Sequence, residues 1–203
     1  MTLFRYLAYV APLAVGFGVP AVLALTSAAP VRRRMVAALA VLGGVLVVLG
    51  AAALTESARA FGQVALLLAG LAVLVAGFFQ LCAAFRLPPE MCQIVASLLV
   101  VALMSTVFCF PPVLEHALEV GMSGDDISRR ITLALDVNPF MVMGYSIFGH
   151  ELLHSPTFYR LDLADYQFAP PRWQGTALGY ALAGFSLFAA ALGLTALRLR
   201  FAK

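Results

Sequence analysis

The sequence predicts an all-α fold: a polytopic membrane helix bundle of about five transmembrane helices, with short outer-face or re-entrant helices between the last two. Two observations carry this reading. Five windows contain no charged residue, 6–31, 35–55, 60–85, 91–114 and 173–197, and each has at least 20 residues. That is the length a helix rising about 1.5 Å per residue needs to cross about 30 Å of hydrocarbon. The acidic residues are instead gathered into 115–172, which holds eight of the ten (Glu115, Glu119, Asp125, Asp126, Asp136, Glu151, Asp162, Asp165) and all three histidines, His116, His150 and His154. A soluble chain of this size needs charged faces on its helices, and these windows offer none.

The organisation follows: a four-helix transmembrane part at 1–114, an outer-face helical subdomain at 115–172, and a last transmembrane helix with a basic tail at 173–203. Residues 1–29 imitate a signal peptide, with Arg5, an apolar core and the small residues Thr26-Ser27-Ala28-Ala29. Arg32, Arg33 and Arg34 follow directly, so the segment reads as a retained first span, which Pro12 and Pro20 are expected to kink. The third window repeats Gly70 and Gly77 on one face. In the last, Gly175 and Gly179 form a small-xxx-small pair, the candidate helix-packing residues. Such notches let backbones approach in lipid, where apolar burial cannot drive association. Intramolecular packing is the preferred reading over a dimer interface.

Pro111-Pro112 ends the fourth window or kinks it. Ser123 followed by Asp126 reads as a helix start, with Ile127, Ile131, Ala134 and Leu135 on one apolar face. Asn138-Pro139 is a second start, a capping side chain before a proline at the first helical position. The apolar run from Phe140 is bounded by Pro156 and is too short to span, which suits an interfacial or re-entrant segment. Pro170-Pro171 then leads into the last span, beside Tyr159, Tyr166, Phe168 and Trp173, an interfacial aromatic belt.

Orientation comes from the basic residues. Arg32, Arg33, Arg34, Arg86, Arg198, Arg200 and Lys203 fall on one side, against Glu90 alone. That side is cytoplasmic, which puts the C-terminus inside and the N-terminus outside a bacterial-type plasma (inner) membrane. No ionisable residue lies within a span, which argues against a proton or ion path through this chain alone. The basic residues form no long run and no aromatic interleave, so nucleic acid is not an expected partner. Cys82, Cys92 and Cys109 lie in apolar windows and read as small hydrophobes.

One motif points to chemistry. His150-Glu151-Leu152-Leu153-His154 matches HExxH, in which two histidines one turn apart bind zinc and the glutamate polarises the attacking water. Asp162, Asp165, His116 or Glu119 could supply a third ligand. Against it, Thr157 and Arg160 stand where a metzincin has its glycine and third ligand. No later span carries an Asp-Gly. The competing reading is a surface helix with two histidines in its last turn, and it is preferred, so no cofactor is expected. Haem ligation by His116 with His150 or His154 would need facing histidines on packed helices.

The run Asn138-Pro139-Phe140, the apolar helix to Gly149, Leu152-Leu153, Ser155-Pro156-Thr157-Phe158-Tyr159, Tyr166, and Pro171-Arg172-Trp173 leading to a span ending Arg198-Leu199-Arg200, is similar to the C-terminal part of ABC-2-type transporter permeases. The resemblance covers roughly residues 91–203. It implies short outer helices dipping into the membrane before the last span, a separate ATPase subunit, and a second permease copy or paralogue. It would also make Ser27–Met35 the coupling segment, with Arg32, Arg33 and Arg34 meeting the ATPase; the competing role for these arginines is fixing topology against anionic lipid. Such permeases usually have six spans and a cytoplasmic N-terminus. This chain reads as five, as though shortened at its start. It carries no Gly-rich phosphate loop, so it cannot drive ATP-dependent transport alone. Three functions are therefore weighed: a permease-like subunit, a structural accessory subunit of a larger membrane complex, and a membrane-bound zinc hydrolase.

Overall fold

The fold was read from a computed structural model, which describes residues 2–55, 57–106, 112, 116–117, 119–149 and 169–201. Their regular structure is all helical, with no strand among the described residues. In chain order the helices are α1 (Leu3–Leu25), α2 (Val31–Ala52), α3 (Ala58–Ala84), α4 (Pro89–Ser105), α5 (Gly124–Asp136), α6 (Pro139–Val142) and α7 (Trp173–Phe201). Four of them (α1, α2, α3 and α7) are long and apolar enough to cross a membrane, and the 17-residue α4 is a shorter apolar helix. The protein is a helical membrane protein.

The helices start two to four residues before the charge-free windows where a charge lies at the window's edge. Arg5 sits in the first turn of α1, Arg32, Arg33 and Arg34 in that of α2, and Arg59 in that of α3. Long basic side chains can lay their stems along apolar surface while the charged head stays in the wet interface, so a helix outlasts its uncharged stretch. Local caps mark the starts: Ser57 Oγ accepts from Ala60 N at 3.2 Å, and Thr2 Oγ1 accepts from Arg5 N at 3.5 Å. Within α7, Ser186 and Thr195 each donate their hydroxyl to the carbonyl four residues earlier, at 2.8 Å. Polar groups so satisfied can lie in lipid.

The chain forms two compact units, residues 1–101 with 177–203, and residues 102–176. In the first, α1 and α3 are central. About half of the apolar window of each is covered by the rest of the chain, 50% and 56%, against 6% for α2 and 17% for α7. Their covered faces carry Phe4, Val15, Val19 and Leu23 on α1 and Val64, Leu67, Leu71, Val75 and Phe79 on α3. α4 packs on α1 where Gly16 makes room for it: a Cβ there would lie 2.6 Å from Val100, and Ser97 Oγ donates to Gly16 O at 3.4 Å.

α3 and α7 meet backbone to backbone. A Cβ on Gly70 would lie 2.6 Å from Ala177 O, one on Gly77 would lie 2.3 Å from Gly184 O, and one on Gly184 would lie 2.5 Å from Val73 O. Because 70 meets 177 and 77 meets 184, the two helices run parallel. The chain between them must therefore return the length of a helix once, and α4, about 25 Å long at 1.5 Å per residue, lies on that return.

The second unit is built on α5. Ser123 Oγ accepts from Asp126 N at 3.2 Å, capping the helix, and donates to Asp126 Oδ2 at 2.8 Å. Ile127, Ile131 and Leu135 are buried, one face of the helix at the expected spacing, while Asp125, Asp126, Arg129 and Arg130 stay exposed. After α6 the helix widens into a π turn at Met143–Ile147, closed by Phe148 N donating to Met143 O five residues back at 3.0 Å. Gly149 follows with φ of 64°, a left-handed conformation that suits the stop of a helix.

Candidate functional site

Two clusters of polar side chains stand out, each within one compact unit. The first is the α1–α2 turn. α1 ends at Thr26, and Ser27 N and Ala29 N donate to Ala24 O and Thr26 O at 3.1 and 2.8 Å. Helix C-termini leave carbonyls unpaired. Arg34, one turn into α2, folds back to supply donors, with Nε to Ala29 O at 2.9 Å and Nη2 to Ser27 O. Arg32 and Arg33 stay exposed. The three arginines are therefore not equivalent: Arg34 holds the turn, and Arg32 and Arg33 present charge outward. Arg198 of α7 behaves like Arg34, donating Nη1 to Ala84 O at the end of α3, where a cation also faces the negative end of the helix dipole. Arg34→Ala is expected to lower thermal stability by about 1.5–3 kcal/mol, the range for hydrogen bonds that involve a charged group. Arg32→Ala should leave the melting curve unmoved.

The second cluster is the α5–α6 turn. Asn138 is 1% exposed. Its Oδ1 accepts from Phe140 N at 2.9 Å and Met141 N at 3.2 Å, capping α6, and Pro139 occupies the first helical position. Its Nδ2 donates to Met104 O at 2.9 Å and Thr106 Oγ1 at 3.2 Å, at the end of α4. Two residues earlier, Asp136 accepts from the start of α7. Its main-chain O takes Thr176 Oγ1 at 2.7 Å, and its Oδ1 takes Arg172 N at 3.4 Å. Ser146 Oγ adds a third tie, accepting from Trp173 N at 3.1 Å. The first amides of α7, which no residue of its own helix can pair, are thus met by side chains from 27 and 36 positions earlier.

The other sequence candidates fall differently. A Cβ on Gly175 or Gly179 would meet nothing within 4 Å, so among the described residues this pair packs against no helix of its own chain. The contact expected of it is made on the opposite face of α7, by Ala177 and Gly184. His150, Glu151, His154, Asp162, Asp165 and Cys109 lie outside the described residues. His116 and Glu119 are described, both well exposed, with Nδ1 and Oε2 3.8 Å apart one turn along a helix. No group of three metal-ligating side chains occurs among the described residues. Cys82 and Cys92 are buried free thiols.

Sequence reasoning identified Asn138 as a cap but did not reach Thr106, Asp136 or Thr176, the groups it works beside. A serine or threonine within four residues of a proline-marked span start, as Thr176 is of Pro171-Arg172, was the available sign. Gly184 had one too: the seven-residue spacing of Gly70 and Gly77 calls for a small pair seven apart elsewhere, and Ala177 with Gly184 is such a pair. No family model, curated protein or solved structure matches this chain.

Proposed function

We propose that the chain is a permease-like integral membrane subunit of an ATP-driven transporter of the ABC-2 type, working with a separate ATPase subunit and a second permease copy or paralogue. The observation that supports this reading most is the segment between α4 and α7: an amphipathic helix, a second helix opened by Asn138-Pro139, and a π turn, tied to the first turn of the last long helix. Short helices before the last span, one of them opened by Asn-Pro, are what the resemblance implies for the outer face of such a permease.

The topology proposed with it has five crossings in a bacterial-type inner membrane, with the N-terminus outside and the C-terminus cytoplasmic. The parallel run of α3 and α7 supports α4 as the intervening crossing, and the basic residues at the α1–α2 turn, at Arg86 and on the tail support the orientation. Arg32 and Arg33 then face the cytosol and are the residues proposed to meet the ATPase, while Arg34 maintains the turn that displays them. Purification in mild detergent should bring down a nucleotide-binding subunit, and the double variant Arg32→Ala/Arg33→Ala should weaken its retention without changing the melting temperature. A stable complex lacking any ATPase would sink the transporter reading.

The very small covered share of α2 favours a second reading, a structural accessory subunit enclosed by other chains. On that reading the protein co-purifies with membrane subunits, and the Arg32/Arg33 variant changes nothing. The zinc hydrolase reading, resting on His150, Glu151 and His154 with Asp162 as a third ligand, requires stoichiometric zinc. Elemental analysis of the purified protein is expected to find none, and a one-to-one content would revive it.

A further inference from the structure

We propose that the Asp136–Asn138 turn is a cross-brace that makes the last turn of α4, the α5–α6 pair and the first turn of α7 move as one body. The ties point two ways from adjacent positions on one turn. Toward α4, Asn138 Nδ2 holds Met104 O at 2.9 Å and Thr106 Oγ1 at 3.2 Å. The Thr106 hydroxyl reaches on to Ala134 O of α5 at 3.2 Å and Leu103 O of its own helix at 2.9 Å. Toward α7, the Asp136 carbonyl holds Thr176 Oγ1 at 2.7 Å and the Asp136 carboxylate meets Arg172 N.

Three features make this a brace and not merely a set of caps. Most of the ties join a side chain to the main chain of another element, so each fixes register in a way that sliding apolar contacts do not. Asn138 and Thr176 are buried, so water does not readily replace what they give up. The last turn of α4 and the first turn of α7 are also gathered in one compact unit, whose limits fall at Ala102 within α4 and at Thr176 within α7. A motion that parts these two ends must break the hydrogen bonds of this turn. The brace holds these ends together whether or not the chain transports anything.

Two substitutions cut the brace at one end each. Asn138→Asp keeps an oxygen to cap Phe140 and Met141 but removes the donor to Met104 O and Thr106. Thr176→Val keeps the shape and removes the hydroxyl. In the full-length protein in lipid nanodiscs, hydrogen exchange read by mass spectrometry should show each cut propagating to the far end. Asn138→Asp is expected to speed exchange in peptides covering 172–177 at least threefold. Thr176→Val is expected to do the same for 103–106 and 140–142, and Thr176→Ser to restore wild-type rates. Acceleration confined to the substituted end in either variant would overturn the proposal. Should Asn138→Asp fail to fold, the Thr176 pair decides it alone.

Discussion

Gly77→Ala and Gly184→Ala are each expected to lower the melting temperature of the detergent-solubilised protein by about 2–12 °C. The atoms a new methyl would strike are main-chain oxygens, 2.3 Å away at Gly77 and 2.5 Å at Gly184. A flexible side chain could rotate aside, but a backbone carbonyl moves only with its helix. The helices must part over several turns. Overpacking of this kind costs about 1–3 kcal/mol, and a change of 1 kcal/mol shifts the melting point of a chain this size by about 2–4 °C. Lipid adds no hydrophobic force to press the helices back together. Gly179→Ala is the control, since it has the same chemistry on the same helix, on a face where nothing lies within 4 Å. There the better helix propensity of alanine, worth about 1 kcal/mol, is unopposed, and the melting point should hold or rise. A loss at 179 with none at 184 would mean that the packed face of α7 has been assigned to the wrong side.

Asn138→Ala should cost about 3 kcal/mol, the largest loss expected from a single polar side chain here. A side-chain amide has two N–H donors and one oxygen able to accept twice, and Asn138 uses that full capacity at 1% exposure. Alanine removes a cap worth about 1 kcal/mol and strips Met104 O and Thr106 of a partner in a buried place, at about 1–3 kcal/mol. Thermal unfolding followed by circular dichroism measures the loss. A fall below about 1 kcal/mol would mean that water enters and re-pairs these groups, and the site would then be less dry than its burial indicates.

The long helices were legible because the bilayer imposes the simplest pattern a chain can carry, an uncharged run of sufficient length. The starts of α5 and α6 were legible for a different reason. Ser123-x-x-Asp126 and Asn138-Pro139 cap their own next turn, so the whole interaction lies within three residues. What stayed hidden acts over distance. Nothing near Thr176 in the sequence says that its hydroxyl reaches Asp136, 40 positions away, and nothing near Arg34 says that its guanidinium is turned back on Ser27 and Ala29 while Arg32 and Arg33 are not. The glycines divided along the same line. Gly70 and Gly77 were recognised as a packing face, but which face of α7 answers them depends on how two helices rotate about their axes. A single-helix motif such as Gly175-x-x-x-Gly179 does not contain that information.

α2 has one buried residue, Leu49, in 22. Away from the side that meets α1, where Val41 lies against Gly18, its shape is little constrained from within the chain, so there one greasy side chain should serve as well as another. A saturation scan would then divide the chain sharply. α3 should reject most changes at Gly70, Gly77 and Phe79, while α2 away from that side should accept Val, Leu, Ile, Ala or Phe nearly interchangeably and refuse only charge. Were α2 to prove as choosy as α3, something outside this polypeptide must be gripping it, and the positions of its refusals would trace the footprint of that companion.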